Sequence, residues 1–278
     1  TPGDKWILSR LNSLIKRCTE NIEQYKYLEY ARDFYTFYWE EFCDWYIEMT
    51  KVRLYSDNSD IDKTIPKIIL LHILEVSYRL IHPIMPYISE TLWQALPEHS
   101  RKVPSISVAE WPKFDEKRIL PEIETEFSLV MDIIKKIRNL RTTFNVKPGL
   151  RIPAIFSTKE KTTLLEQFKG EIAELAKLDQ TNLQIVSDFE APKLAGRIVF
   201  DGGIVYLPLE GVIDIEKEKQ AINGQIEKLT KLIDSKKKKL TGAFIEKAKT
   251  EIVEAEKTKL KQNEDKLQHL NEELSMLQ

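Results

Sequence analysis

The sequence predicts a mainly α-helical chain in three parts: a helical bundle over residues 1–149, a small α/β module over 150–213, and an antiparallel coiled-coil hairpin over 214–278. Three observations predict it. Apolar residues recur at steps of three and four through most of the first 145 positions, the period of helices with one buried face. Between Arg151 and Leu207 that period gives way to short β-branched runs. Beyond residue 214, Ile and Leu fall on a seven-residue repeat in two stretches separated by Thr241-Gly242.

The elements follow in order. The first helix carries Ile7, Leu11, Leu14, Cys18 and Ile22 on one face. The second runs from about Leu28 to Tyr55, with Tyr35, Tyr38, Phe42, Trp45 and Met49 as its buried stripe, and ends at Ser56-Asp57-Asn58-Ser59. Short polar side chains there compete with the helical backbone for hydrogen bonds. A third helix carries Ile65, Ile69, Val76 and Leu80 and stops at His82-Pro83. Pro86 opens a fourth, where a missing N–H costs nothing, with Ile88, Thr91, Leu92 and Ala95 as its inner face. After a Pro- and Ser-rich loop to Trp111-Pro112, a fifth helix carries Ile123, Phe127, Val130, Ile134 and Ile137 and breaks near Asn145–Gly149.

In the α/β module, Arg151–Phe156 and Leu183–Val186 read as strands with a helix near Lys159–Lys177 between them. Arg197–Phe200 and Ile204–Leu207 flank Asp201-Gly202-Gly203, a tight-hairpin signal because Gly tolerates positive φ. The hairpin arms have seams of Ile215, Ile222, Ile226, Leu229, Ile233 and Leu240, then Val253, Leu260, Leu267, Leu270, Leu274 and Leu277. Lys219 and Lys236 occupy the remaining seam positions of the first arm.

Composition narrows the function. An apolar fraction of 42% and a charged fraction of 31% describe a water-soluble globular chain. The net charge of −2 gives no global pull toward polyanions, but its distribution is uneven. Residues 1–130 hold 16 Lys+Arg against 21 Asp+Glu, whereas 224–261 hold 11 lysines against 6 acids, so a polyanion is expected to meet the C-terminal half. Two cysteines without CxxC or a His cluster exclude a disulfide framework and a zinc site, and fit a reducing cytoplasm. No apolar run is long enough to span a bilayer. The opening Thr1-Pro2-Gly3-Asp4 reads as an internal junction, so the chain is expected to be a piece of a longer protein.

Six segments stand in order along the chain: DKWILSRLN at Asp4–Asn12, FYWEEFCDWYIEMTK at Phe37–Lys51, IHPIMPYISETLW at Ile81–Trp93, SISVAEWP at Ser105–Pro112, IRNLRTTFNVKPG at Ile137–Gly149, and the tip-proximal stretch Leu240–Leu260 with Phe244–Ala248. Together they resemble the valyl-tRNA synthetase family. The bundle segments are shared with isoleucyl and leucyl enzymes. The C-terminal hairpin separates them, since isoleucyl enzymes commonly end in a zinc module and leucyl enzymes in a different small domain. The tip Thr241-Gly242-Ala243-Phe244 departs from the family's Asn-Pro-Asn-Phe-like pattern. The resemblance implies a class I synthetase anticodon-binding bundle followed by a coiled-coil arm that meets the outer corner of tRNA. It also implies that valine tRNA and the enzyme's own catalytic domain are partners and that the chain is monomeric. No HIGH-like, KMSKS-like or Gly-rich phosphate motif occurs, so the chain alone is expected to be non-catalytic and cofactor-free, ATP being used by a catalytic domain elsewhere in the enzyme. The equivalent part of an isoleucyl-tRNA synthetase and a coiled-coil protein-interaction module remain alternatives.

The candidate tRNA-contacting residues form two sets. Lys135, Arg138 and Arg141 recur every third residue of the fifth helix and are expected to line one side as a phosphate ridge, with Lys147 just beyond. Asn139 and Asn145 carry paired donors and acceptors suited to base edges. On the arm, Lys236, Lys237, Lys238 and Lys239 form the densest charge run, followed by Lys247 and Lys249. Twelve of the 26 aromatic residues fall between Tyr25 and Tyr55, and the spacing assigns them to packing, with an off-stripe ring such as Trp39 the one suited to stacking on a base.

Overall fold

The computed structural model describes residues 1–55, 60–101, 103–190, 192, 194–240 and 250–277. Three features expected from the sequence lie outside them: the helix stop at 56–59, the tip at 241–244, and Lys247 and Lys249. The chain forms two compact units. The first comprises Thr1–Ile134 and Thr163–Ala176, the second Lys135–Thr162 and Lys177–Gln278.

The first unit is a helical bundle. Helix α1 spans Pro2–Glu23, opened by a capping box in which the Thr1 hydroxyl accepts from the Asp4 N–H. Helix α2, Tyr27–Tyr35, continues into a π-helical stretch at Thr36–Ile47 and then into α3, Glu48–Leu54. A π-helix bonds each N–H one residue further back than an α-helix does, so its inner face advances by more than the usual step. Phe37 and Phe42, five residues apart, are both buried, followed by Trp45, Tyr46, Met49 and Thr50. Tyr35, expected in the stripe, is 57% exposed because the wider turn rotates it out.

Phe127 sits at the centre of the packing. Its ring stacks on Trp6 at 4.1 Å between centroids, meets Trp45 edge-on at 6.5 Å, and tilts against Phe168 at 5.6 Å. Arg10 ties the same elements by charge. It donates to both carboxylate oxygens of Glu41, at 2.9 and 2.7 Å, and to Glu124 at 2.9 Å. Bidentate geometry of this kind holds orientation as well as charge.

Helix α4 spans Asp60–Ile81 and buries Ile69, Ile73, Val76 and Leu80, while Ile65 faces out. Helix α5, Pro86–Ala95, starts at its proline as expected, but its inner face differs. Ser89, Trp93 and Leu96 are buried, whereas Ile88, Thr91, Leu92 and Ala95 are exposed. Trp93 offers the largest apolar surface on the helix, and burying it turns the aliphatic side outward. Ser89 lies inside because its hydroxyl has partners there, the His82 Nδ1 at 2.8 Å and the Met85 carbonyl at 2.8 Å.

Helix α6, Pro121–Thr143, carries the division between the units. The chain then forms β1, Ile152–Ser157, and passes through two short helices of the first unit, α7 at Thr162–Gln167 and α8 at Lys169–Leu175. The single helix expected here is split at the buried Phe168. The remaining strands are β2, Leu178–Val186; β3, Ala195–Phe200; and β4, Gly203–Pro208.

The sheet order is β2-β1-β4-β3, with β1 parallel to β2 and the other pairs antiparallel. Phe200 pairs with Gly203 across a two-residue turn in which Gly202 has φ of +93°, the conformation the Asp-Gly signal anticipated. The arm consists of α9, Ile215–Lys239, and α10, Thr250–Met276.

Gly203 is a tight point of the sheet, closed in by backbone. A Cβ placed there would lie 2.6 Å from the Ser157 carbonyl oxygen and 2.5 Å from the Phe200 ring. Because backbone cannot swing aside as a side chain does, Gly203→Ala is expected to cost about 1–3 kcal/mol of stability in denaturant unfolding. A change within error of zero would show that the β1–β4 pairing has slack to absorb a methyl group.

Candidate nucleic-acid interface

The candidate lysines, arginines and asparagines that the structure describes all belong to the second unit, on two surfaces: the C-terminal half of α6 with its exit loop, and the arm.

On α6, Ile133, Ile134, Ile137 and Leu140 are buried, and Lys135, Arg138 and Asn139 are exposed. Arg141 is not on their side: only 6% of it is exposed. Its Nη1 donates to the Lys177 carbonyl at 3.1 Å, and its Nη2 to the Lys147 and Leu150 carbonyls at 3.2 and 2.8 Å. The geometry of a helix explains the correction. Each step of three residues falls about 60° short of a full turn, so two steps carry Arg141 roughly 120° away from Lys135. The expected ridge therefore reduces to Lys135 and Arg138, and Arg141 is structural. Burial lowers the Arg141 pKa, and the three carbonyl acceptors are what keep a guanidinium tolerable there.

The end of α6 is a Schellman turn. The Val146 N–H returns to the Arg141 carbonyl at 2.9 Å and the Asn145 N–H to the Thr142 carbonyl at 3.1 Å, with Asn145 itself at φ of +50°. Asparagine is among the few non-glycine residues that accept this conformation readily. Asn145 is exposed, but its amide donates to both carboxylate oxygens of Glu218, at 3.2 and 3.4 Å. That commitment joins the exit loop to the first turn of α9 and argues against Asn145 as a base reader. Lys147 is exposed, and its carbonyl accepts from Arg141.

The arm follows the expected seams closely. Ile222, Ile233, Val253, Leu270 and Leu277 are buried, while Ile215, Ile226, Leu229, Leu240, Leu260, Leu267 and Leu274 are half-buried, as two helices without a third must leave them. Lys219 and Lys236 sit on the seam as half-buried residues. The helices run antiparallel: Lys236 near the end of α9 pairs with Glu256 near the start of α10, while Glu218 near the start of α9 faces Glu273 near the end of α10.

The lysine run is engaged across the hairpin. Lys236 and Lys239 reach Glu256 at 2.8 and 3.6 Å, and Lys237 reaches Glu264 at 2.7 Å. Lys237, Lys238 and Lys239 are exposed. The Glu256 carboxyl is held below its usual range by the hydrogen bond from Lys236, against desolvation, with the charges of Lys236, Lys239 and Lys259 adding to it.

In the first unit, Trp45 and Tyr46 are core residues, whereas Trp39 is 51% exposed, with its neighbour Tyr38 edge-on at 5.8 Å. A cleft lined by His72, Glu75, Arg79, Trp93, His99 and Glu110, among others, was not foreseen. It is unsuited to phosphate, because Arg79 is committed to the Glu75 carboxylate at 2.7 Å and the Glu110 carbonyl at 2.9 Å. The one sequence signal that bears on it is the four-residue spacing of Glu75 and Arg79, which places them on one face of a helix. Among the described residues, no group of His, Cys, Asp and Glu is placed to hold a metal ion, and no helix is long and apolar enough to cross a membrane.

A helical bundle continued by a lysine-bearing two-helix arm has a counterpart among known proteins. Residues 4–156 match the family model described as the anticodon-binding domain of tRNA ligase, more than half of the chain, and the chain belongs to that family. Residues 214–278 match a second family model, the valyl tRNA synthetase tRNA binding arm. The chain is similar to the valine–tRNA ligases of Oceanobacillus iheyensis, 36% identical over 275 residues, Carboxydothermus hydrogenoformans, 38% over 263, and Petrotoga mobilis, 39% over 269. These alignments cover 99%, 94% and 96% of this chain but 31%, 29% and 30% of the relatives, so the chain spans about a third of their length.

The two faces of α6 are expected to respond differently to substitution. Arg141→Met strands three backbone carbonyls and is expected to lower unfolding free energy by about 2–5 kcal/mol. Arg138→Met, at an exposed position, is expected to stay within about 0.5 kcal/mol. Equal, small effects of the two would return Arg141 to the surface.

The Glu256 cluster adds a pH dependence to the arm. A folded pKa below the unfolded one means that the Glu256 contribution is full above the ordinary value of 4.5 and fades as pH falls through the lower folded value. Carboxyl titration by NMR is expected to place Glu256 below 4.5 and to move it upward in Lys236→Met. An unmoved titration would mean that the pair is not formed in solution.

Proposed function

We propose that this chain is the tRNA-recognition portion of a cytoplasmic, monomeric valine–tRNA ligase, the enzyme that attaches valine to its tRNA at the expense of ATP. The bundle discriminates the anticodon, the small sheet module connects, and the arm holds the corner of the tRNA. The observation that carries this reading is the occurrence, in one chain and in this order, of the anticodon-binding match and the valyl tRNA-binding-arm match. The exposed Lys135, Arg138 and Lys147, and the run Lys237–Lys239, support it as phosphate-facing positive charge on otherwise near-neutral protein. Valine tRNA is the partner, and ATP is handled by a catalytic domain that these 278 residues do not include.

The contribution of such a portion is positional. Fixing the anticodon and the corner of tRNA determines where its 3′ end lands, and misplacement by a fraction of a nanometre is enough to slow transfer without altering its chemistry.

Binding of the chain to a valine tRNA transcript, an anticodon-swapped version and an unrelated tRNA is expected to be tightest for the first and steeply salt-dependent. Replacing Lys237 and Lys238 by Glu is expected to weaken binding and to flatten the log–log salt slope by about 2. Unchanged affinity in the double variant would remove the arm from the tRNA footprint. Absence of binding to all three RNAs at low salt would favour a protein partner for the hairpin instead.

A further inference from the structure

Glu256 lies where α10 comes back past the lysine run of α9. Its carboxylate is 2.8 Å from Lys236, 3.6 Å from Lys239 and 4.0 Å from Lys259, and its side chain is only 16% exposed. One acid thus serves three lysines, of which Lys236 is as sheltered as Glu256 itself, with 18% of its side chain exposed, while Lys239 and Lys259 are 50% and 62% exposed. Two turns further along α10, Glu264 holds Lys237 at 2.7 Å, in a pair that is far more open, with side-chain exposures of 55% and 43%. The contrast is with Glu227 and Lys231, which pair within α9 itself at 2.5 Å with exposures of 69% and 74%.

A lysine held by a carboxylate reaches a phosphate only by giving up that partner, and the carboxylate left beside it repels the phosphate. Each contact made by Lys236 or Lys239 is therefore discounted by Glu256. A bare run of four lysines at the end of a long arm would bind any RNA backbone, because phosphate neutralisation carries no sequence information.

We propose that Glu256 is a specificity-determining residue of the arm: by occupying Lys236, Lys239 and Lys259 it withholds part of the lysine charge from phosphate, so that the arm adds affinity only for an RNA already docked elsewhere on the protein. This rests on the reading of the arm as tRNA-binding. Glu264 plays a weaker version of the same part on Lys237.

The test uses the full chain and two probes, a valine tRNA transcript and an unrelated tRNA transcript, titrated across a KCl series. The proteins are wild type, Glu256→Gln, Glu264→Gln and, as the control for one extra positive charge elsewhere on the arm, Glu227→Gln. Glu256→Gln is expected to bind the unrelated tRNA about three- to ten-fold more tightly than wild type, with a salt slope steeper by about one. Valine tRNA is expected to gain less, so that the ratio between the two RNAs falls. Glu264→Gln is expected to move the same way by a smaller factor, and Glu227→Gln to stay near wild type.

Far-UV helicity checks the hairpin. Should Glu256→Gln lose helicity, Glu264→Gln decides, since its exposed pair leaves the seam intact, and an unshifted affinity for unrelated tRNA there overturns the proposal. It is equally overturned if Glu256→Gln keeps its helicity and binds both RNAs as Glu227→Gln does. In either case a wild type that binds valine tRNA with a steep salt slope leaves the tRNA reading standing. A wild type that binds neither RNA removes that reading, and this inference with it.

Discussion

The guanidinium of Arg141 is the point from which the second unit is laid out. It joins the end of α6 to the exit loop, through the Lys147 and Leu150 carbonyls, and to the start of β2, through Lys177. A buried cation without acceptors is prohibitive, so the three carbonyls and the charge require one another. With that clamp in place the chain has one way onward. Asn145 reverses it, Ile152 meets Leu178 to start the parallel pair, and Arg151 adds a bond to the Leu178 carbonyl at 3.2 Å. Had the position carried lysine, a single ammonium could not have spanned the same three acceptors in a fixed fork.

The first unit uses its positive charge differently. Arg10, Arg17, Arg53 and Arg79 are all ion-paired to acids of their own unit, with Glu41 and Glu124, Asp33, Asp4 and Glu75 as partners. The acidic excess counted over residues 1–130 is thus partly internal scaffolding rather than surface field. The exposed Lys135, Arg138, Lys147 and Lys237–Lys239 all belong to the second unit, which carries the part of the chain where sequence composition had placed the excess of lysine.

Much of this was legible because burial on one side of a helix imprints a period on the chain. Both arm seams were readable for that reason, and the start at Pro86, the break at Asn145 and the Asp-Gly hairpin from the backbone chemistry of single residues, each signal depending on residues close together in sequence. What escaped depended on partners far away. The π-helical stretch follows a sequence whose apolar spacing reads as an ordinary α-helix, and its wide turn emerges only when Phe37 and Phe42 pack into the same core. Arg141 looked like its neighbours on α6 until Lys177, 36 residues on, supplied an acceptor. The heptad put Lys236 on the seam, but the alignment of two arms was needed to find Glu256 opposite it.

The joint between Asn145 and Glu218 has a mechanical side. Helix α9 is 25 residues long, about 38 Å at ~1.5 Å per residue, and the joint lies in its first turn. A rod held near one end magnifies angular play: a tilt of about 5° at the root sweeps the far end through roughly 3 Å, the reach of one hydrogen bond. The hydrogen bonds from the Asn145 amide, together with the packing of α10 on β3, therefore bear on where every lysine at the other end points.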